Sequence, residues 1–418
     1  MQSATQGKLS RVGHPAWERC VNLLFSLTAY PPSIGGAQLL MHQLARQLAP
    51  RHPVQVVTQW TTNRTDWLLG TTLNAPTAAC AYSQDGIPVQ QITIPLDLRR
   101  RLAPWVLGYY LAQGPAIRRI AAALAAEIEP WAAQADLIHN CRIGREGLSY
   151  ASYQVARAKN IPFVLTPVHH PRWGTWLHRH YQALYRQADA VIALTAAERD
   201  MLVRLGADER RVHVTGMGPV LASAGDGPSF RRAHALESDP VVLFLGQKYA
   251  YKGVAALLAA TEAVWRRVPE TRFVFIGPRT DFSRRLFSRV NDHRLLELDT
   301  VTLQAKTDAL AACDILCVPS VQESFGGVFT EAWSFGKPVI GGDIAAVRAV
   351  IDDESDGFVV RQQAGPLAER LVCLLEQPAL RQSMGERGRA KVEARYTWPR
   401  LAAQTERIYA SVLKTGSG

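Results

Sequence analysis

Glu323-Ser324-Phe325-Gly326-Gly327-Val328-Phe329-Thr330-Glu331 follows a short apolar run, Ile315 to Val318, that Pro319 and Ser320 close. The run reads as a strand, the glycine pair as a turn, and Ala332 to Phe335 continue at helical spacing until Gly336-Lys337-Pro338 stop the helix. In an α/β sheet such a turn offers backbone N–H groups and the positive end of a helix to an anion. Adjacent glycines at 326 and 327 cost strand and helix stability unless backbone must approach something closely. Seven residues separate Glu323 in the loop from Glu331 in the helix. A diphosphate-bearing ligand on the helix start would have one carboxylate toward each of its hydroxyl-rich ends. The plainer alternative is a helix-capping Glu323 and a solvated Glu331.

Strand, glycine loop and helix recur elsewhere. Val21 to Ala29 breaks at Tyr30-Pro31-Pro32-Ser33-Ile34-Gly35-Gly36 and continues into an amphipathic helix carrying Leu39, Leu40, Leu44 and Leu48. With a strand at Val54 to Thr58 this is a βαβ unit, hence a parallel sheet with its loops at the C-terminal strand edge. In the second half, Val241 to Leu245 leads to Gly246-Gln247-Lys248-Tyr249-Ala250-Tyr251-Lys252-Gly253 and a helix rich in Ala and Leu. Two lysines there suit two phosphate charges as point cations. No G-x-G-x-x-G follows a strand, which argues against a nicotinamide dehydrogenase. Ile161 to Thr166 runs into Pro167-Val168-His169-His170, placing two histidines at a strand end that faces the ligand crevice. Thr195-Ala196-Ala197-Glu198 reads as a capping box.

The E-x7-E spacing after a Pro-Ser strand end, with Gly336-Lys337-Pro338-Val339-Ile340 and Asp356-Gly357-Phe358 behind it, resembles the retaining GT-B glycosyltransferases of family 4. The likeness runs over most of the chain. It implies two Rossmann-like α/β domains whose parallel sheets face each other across a cleft. Residues 1–221 would bind the acceptor, the aperiodic stretch 222–239 would be a linker, and 240–395 would bind the nucleotide sugar. Residues 396–418 would form a helix returning to the first domain. By the same resemblance Glu331 holds the ribose hydroxyls and Glu323 orients the donor sugar. Backbone at Phe325, Gly326, Gly327 and Val328, with Gly246 and Lys252, stabilises the leaving diphosphate, and Gly35-Gly36 approaches it from the opposite domain. His169 contacts the sugar, with His170 as its rival and His139 a less central match. Glu323, His169 and Lys252 are thus the catalytic candidates. The chain departs from the family at Gln247, where Arg is usual and Lys248 stands as the substitute, and at Met217, where Asn is usual. The implied reaction is retaining transfer to a hydroxyl of a glycan, lipid or small molecule, with a nucleotide-sugar donor and no other cofactor. No D-x-D stands where a metal would bridge the diphosphate. The rivals are an epimerase or hydrolase on the same fold, or a binding protein of weakened activity.

The bulk numbers fit that frame. A chain of 418 residues, 47% hydrophobic and 20% charged, is globular and too long for one core. Six scattered cysteines without a CxxC read as reduced, buried thiols of a cytosolic protein. The first sixteen residues carry Lys8, Arg11 and His14 and no apolar stretch, so no secretory leader is expected, and no run reaches membrane-span length. A net charge of +11 without basic runs interleaved with aromatics fits phosphates or an anionic membrane surface better than nucleic acid, the alternative being a merely basic, arginine-rich surface. Arg99-Arg100-Arg101 before Trp105, Tyr109 and Tyr110 suits an interfacial segment, the alternative being a packed helix with an arginine-rich first turn. The expected location is the cytoplasm, with peripheral contact at the inner face of the membrane.

Overall fold

The computed structural model describes residues 20–33, 35–60, 71–141 and 147–415. Among them eight strands form a first sheet: β1 (Leu23–Ala29), β2 (Val54–Trp60), β3 (Cys80–Gln84), β4 (Ile87–Gln91), β5 (Leu137–Cys141), β6 (Phe163–Thr166), β7 (Ala190–Ala193) and β8 (Val212–Val214). Their spatial order is β3-β4-β2-β1-β5-β6-β7-β8. Every residue of β1 is buried, Leu23, Phe25 and Leu27 in one apolar cluster and Leu24 in another. A parallel strand covered on both faces reads as such an unbroken apolar run. The pairings are parallel except at the edge, where β3 runs antiparallel to β4. That hairpin, absent from the sequence reading, turns on Asp85-Gly86, both with positive φ, the pair that two-residue turns select.

A second, wholly parallel sheet holds β9 (Val241–Leu245), β10 (Arg272–Ile276), β11 (Leu295–Leu298), β12 (Ile315–Val318), β13 (Val339–Gly342) and β14 (Gly357–Val360). The order β11-β10-β9-β12-β13-β14 reverses between β9 and β12. Loops at the C-terminal edges of those two strands therefore flank the switch point where open α/β sheets bind ligands.

The final helix, Trp398–Thr415, returns to the first sheet. It docks through Glu406, which meets Arg51 at 2.9 Å and His52 at 3.2 Å, and through Tyr409, whose hydroxyl lies 2.6 Å from His139 Nδ1. His139 Nε2 meets Thr166 at 2.8 Å, so this histidine is a fully enclosed packing residue. The chain crosses outward near 216–222 and back near 396–398, and the crossings touch where Trp398 Nε1 donates to the Pro219 carbonyl at 2.7 Å.

Within 222–239 the chain forms a helix, Gly227–Ala233, too short to show a sequence period. Asp226 caps it, and it packs against the helix Leu303–Ala312, with Arg231 reaching Asp314 at 2.9 Å. Cys141, Cys313 and Cys317 are buried, but Cys20 and Cys80 are exposed, against the expectation of interior thiols throughout.

Candidate functional site

The Gly326 turn has the shape the sequence requires. Gly326 sits at φ +85°, and a Cβ there would collide with the Phe329 ring, so only glycine fits. The helix Gly327–Trp333 starts at once; the Phe329 N–H donates to the Gly326 carbonyl at 2.9 Å, while the N–H groups of Gly327 and Val328 have no intrahelical acceptor. Phe325 is buried with its ring edge on Tyr396, centroids 5.3 Å apart, leaving its backbone as the part that faces the turn. Val328 is half-buried. Met217, on the outgoing crossing, lies so close to Gly327 that a Cβ there would meet its sulfur at 3.0 Å.

Glu323 does not cap the helix. Its Oε1 accepts from Lys252 Nζ at 2.5 Å, and both side chains are largely shielded from solvent. The pair exists because Gly253 lets the loop press on the end of β12, where a Cβ would meet Pro319 Cγ at 2.6 Å. Gln362 Nε2 ties the same contact by donating to the Tyr251 and Pro319 carbonyls at 2.9 and 2.8 Å. Gly246 lies at the exit of β9 with open space where a side chain would project.

Glu331 is equally unlike a solvated surface residue. It is 5% exposed, and its Oε1 accepts from Lys306 Nζ at 2.7 Å and from the Val220 N–H at 3.4 Å. Its other oxygen, Oε2, is buried without a hydrogen-bond partner. Burial pushes this carboxyl above the usual carboxylate range, and the Lys306 ammonium draws it part of the way back. Lys306 also donates to the Val220 carbonyl at 2.6 Å.

Lys248 corrects the sequence reading. Its side chain is fully buried and its ammonium donates to Glu297 at 2.6 Å and to the Leu298 carbonyl at 2.5 Å. It points down along β11, away from the loop surface, and does not stand in for the arginine expected at Gln247. Burial pulls the ammonium below the usual lysine range, opposed by Glu297. Lys252 is the loop lysine that reaches Glu323.

Across the chain, Gly35 and Gly36 open the helix Gly36–Leu48 at the C-terminal edge of β1. Nothing lies within 4 Å of the space a Gly36 side chain would take, whereas Gln38 folds over Gly35. His169 follows β6, is 4% exposed, and its Nδ1 lies 2.9 Å from the Tyr185 hydroxyl. His170 is half-buried, its ring 5.9 Å from that of Trp173. The capping box is only half made: Thr195 accepts the Glu198 N–H at 3.0 Å, but the Glu198 carboxylate turns to the N–H groups of Leu194 and His169.

The structure thus joins Lys252 to Glu323 and sets the Gly326 turn and Glu331 on the same segment, with Gly36 and His169 on strand edges of the first sheet. Sequence reasoning missed Lys306 and Gln362 and read Glu198 only as part of a local cap. Each is polar within an otherwise ordinary segment, and its partners lie 25 to 86, 43 to 111, and 4 to 29 residues away. Among the described residues no group of three or more His, Cys, Asp or Glu is placed to hold a metal ion.

Comparison with known proteins bears on the same elements. Residues 35–218 match the family model described as Glycosyl transferase 4-like domain, and residues 227–391 that of Glycosyl transferases group 1. The chain is 34% identical over 204 residues to a phosphatidyl-myo-inositol mannosyltransferase of Mycobacterium tuberculosis, covering 46% of this chain and 53% of that one. It therefore spans about half the length of that relative. It is 30% identical over 286 residues to a D-inositol 3-phosphate glycosyltransferase of Xylanimonas cellulosilytica, covering 64% and 67%. Among solved structures, Anabaena HepE in complex with UDP and glucose superposes with a TM-score of 0.69 at 19% identity, over 94% of this chain and all of that one. Sucrose-phosphate synthase from Thermosynechococcus elongatus gives 0.73 at 19% identity over the same shares. Both are likenesses of fold, two facing parallel-sheet α/β domains of the GT-B kind.

Proposed function

Because the chain belongs to the group 1 glycosyltransferases of family 4, we propose that it transfers a sugar from a nucleotide-diphosphate donor to a hydroxyl acceptor, retaining the anomeric configuration. The observation that carries this reading is the arrangement of two shielded carboxylates, Glu323 on Lys252 and Glu331 on Lys306, around the Gly326 turn. Glu331 accepts from the ribose hydroxyls through its unpartnered Oε2. Glu323 orients the sugar hydroxyls. Lys252 and the backbone N–H groups of residues 325–328 stabilise charge on the departing diphosphate, an electrostatic effect strengthened where domain closure excludes water. Gly36 leaves room for the diphosphate from the other side, and His169 contacts the sugar. The bond from the anomeric carbon to phosphate oxygen breaks as the acceptor oxygen bonds on the same face, and the acceptor proton passes to the leaving phosphate.

Calorimetry against UDP, GDP, ADP, CDP and dTDP tests the donor site. One diphosphate should bind, and Glu331→Ala should lose that binding, while Glu323→Ala should lose turnover more than affinity. Unchanged binding and turnover in both variants would sink the assignment. Donor conversion without any acceptor would instead favour an epimerase or hydrolase. The inositol-bearing acceptors named for two relatives, and the UDP-glucose bound in another Anabaena HepE structure, are the first substrates to try.

We also propose peripheral contact with an anionic membrane. Leu107, Tyr110 and Leu111 are exposed beside the helix Gln113–Ile128, whose start abuts His180, and Trp176 and Leu177 are exposed just before that histidine. Arg100 and Arg101 are exposed on the preceding helix, Leu96–Leu107, and Arg118 and Arg119 on Gln113–Ile128, and the Arg179 guanidinium covers the Trp176 ring at 3.9 Å. Arg99 is not part of this patch, since it donates to the Leu73, Ala75 and Ile94 carbonyls. No helix among the described residues is long and apolar enough to cross a membrane. Co-sedimentation with phosphatidylglycerol vesicles, but not phosphatidylcholine, is the expected result; equal binding to both, or binding to neither, would refute it.

A further inference from the structure

The turn after β6 is held in an unusual backbone. Val168 has φ +44°, a left-handed conformation that a β-branched residue keeps only under constraint. The constraint comes from the helix Ala196–Arg204. Glu198, in its first turn, is 6% exposed, and its Oε1 accepts the His169 N–H at 2.5 Å. Its Oε2 accepts the N–H of Leu194, at the end of β7, at 2.7 Å. One carboxylate therefore ties two neighbouring strand ends together, backbone to backbone, immediately beside His169. The imidazole is fixed at a second point, since its Nδ1 meets the Tyr185 hydroxyl at 2.9 Å. Only a carboxylate has an acceptor for each of the two N–H donors; an amide of the same shape has one oxygen and sets its NH₂ against the other donor.

We propose that Glu198 is a positioning residue of the transfer reaction, a clamp that holds the 168–169 turn in its left-handed form and so aims the His169 imidazole at the transferred sugar. This rests on the role given to His169 above. Burial pushes the Glu198 carboxyl up to about 7, a cost that a purely structural site would avoid with an apolar residue. The same helix touches the second-domain helix Ala345–Arg348, so the clamp joins the His169 turn to an element that meets the opposite domain.

The test is a double-variant cycle on the full chain, with Glu198→Gln, His169→Ala and both together, measured by steady-state kinetics and nucleoside diphosphate binding. Glu198→Gln should lower kcat by about tenfold or more while the donor KM and the diphosphate Kd stay within about twofold. In the His169→Ala background the same change should lower kcat no further. Glu198→Asp, which keeps both acceptors on a shorter arm, should recover part of the loss and serves if the Gln variant folds poorly. Equal fold-losses from Glu198→Gln in both backgrounds, or no loss of kcat, would overturn the clamp while leaving His169 its role. Wild-type turnover in His169→Ala would overturn the His169 reading and the clamp with it.

Discussion

Replacing Lys306 with methionine removes one charge from a pair that has almost no access to water. The Glu331 and Lys306 side chains are 7% and 18% exposed and meet at 2.7 Å. After Lys306→Met, Glu331 keeps only the long contact to the Val220 N–H, and its second oxygen still has no partner. The carboxyl must then stay charged in a buried site or take up a proton at neutral pH. Removing one partner of a buried ion pair costs about 3–5 kcal/mol, and the option of protonation places this case near about 3. For a domain of this size that is a fall in melting temperature of about 6–12 °C. A neutral Glu331 also forfeits charge-assisted hydrogen bonds to the ribose, so diphosphate affinity should drop about tenfold. Adding Glu331→Gln removes the stranded charge, so the double variant should regain most of the lost stability and none of the affinity. Thermal unfolding and calorimetry on the two single variants and the double variant read all of this. A melting temperature within about 1 °C of the parent for Lys306→Met, or a double variant no more stable than the sum of the singles, would refute the reasoning.

Three further outcomes follow from the geometry. Lys248→Met should cost about 1–2 kcal/mol of stability and leave turnover largely intact, because Glu297 keeps Arg279 at 2.7 Å, whereas Lys252→Met should abolish most turnover; turnover lost in the first variant and kept in the second would exchange the two roles. Gly326→Ala forces a left-handed backbone and a collision with Phe329, so a denaturant titration should show a loss of about 3 kcal/mol, and a loss under about 1 would contradict the need for glycine in that turn. The buried His139 imidazole is pushed down to about 3, so its contribution to stability is whole above pH 6.5 and drains away as pH falls toward 3, by up to about 4 kcal/mol. His139→Phe should flatten that acid limb of the melting curve, and an unaltered slope would refute it.

What was legible in the sequence is what neighbouring residues decide. The E-x7-E turn, the Gly35-Gly36 helix start and the parallel strands all declare themselves through glycine placement and apolar runs a few residues long. The two lysines of the 246–253 loop show where such reading stops. Lys248 and Lys252 are equivalent as sequence, yet one points down to Glu297 and the other across to Glu323, and the loop path that decides this depends on Pro319 and Gln362. Lys306 sits mid-helix, with its meaning supplied by Glu331, 25 residues on. Glu198 looked like half of a local cap because the competing donor, His169, lies 29 residues earlier. The edge strand β3 went unread although Asp85-Gly86 announced its turn.

The two crossings between the domains run side by side, joined from Trp398 to Pro219, and the outgoing one is bonded directly to Glu331 and Lys306 through Val220. Mechanically this is a door hung on two pins and not a ball on a single tether. A body held at two adjacent points swings about the line through them but neither slides nor spins freely. Any movement of one half against the other is therefore confined to a swing about that line. And because one pin is bonded to Glu331 and Lys306, a ligand held by the proposed donor site would pull on the hinge itself.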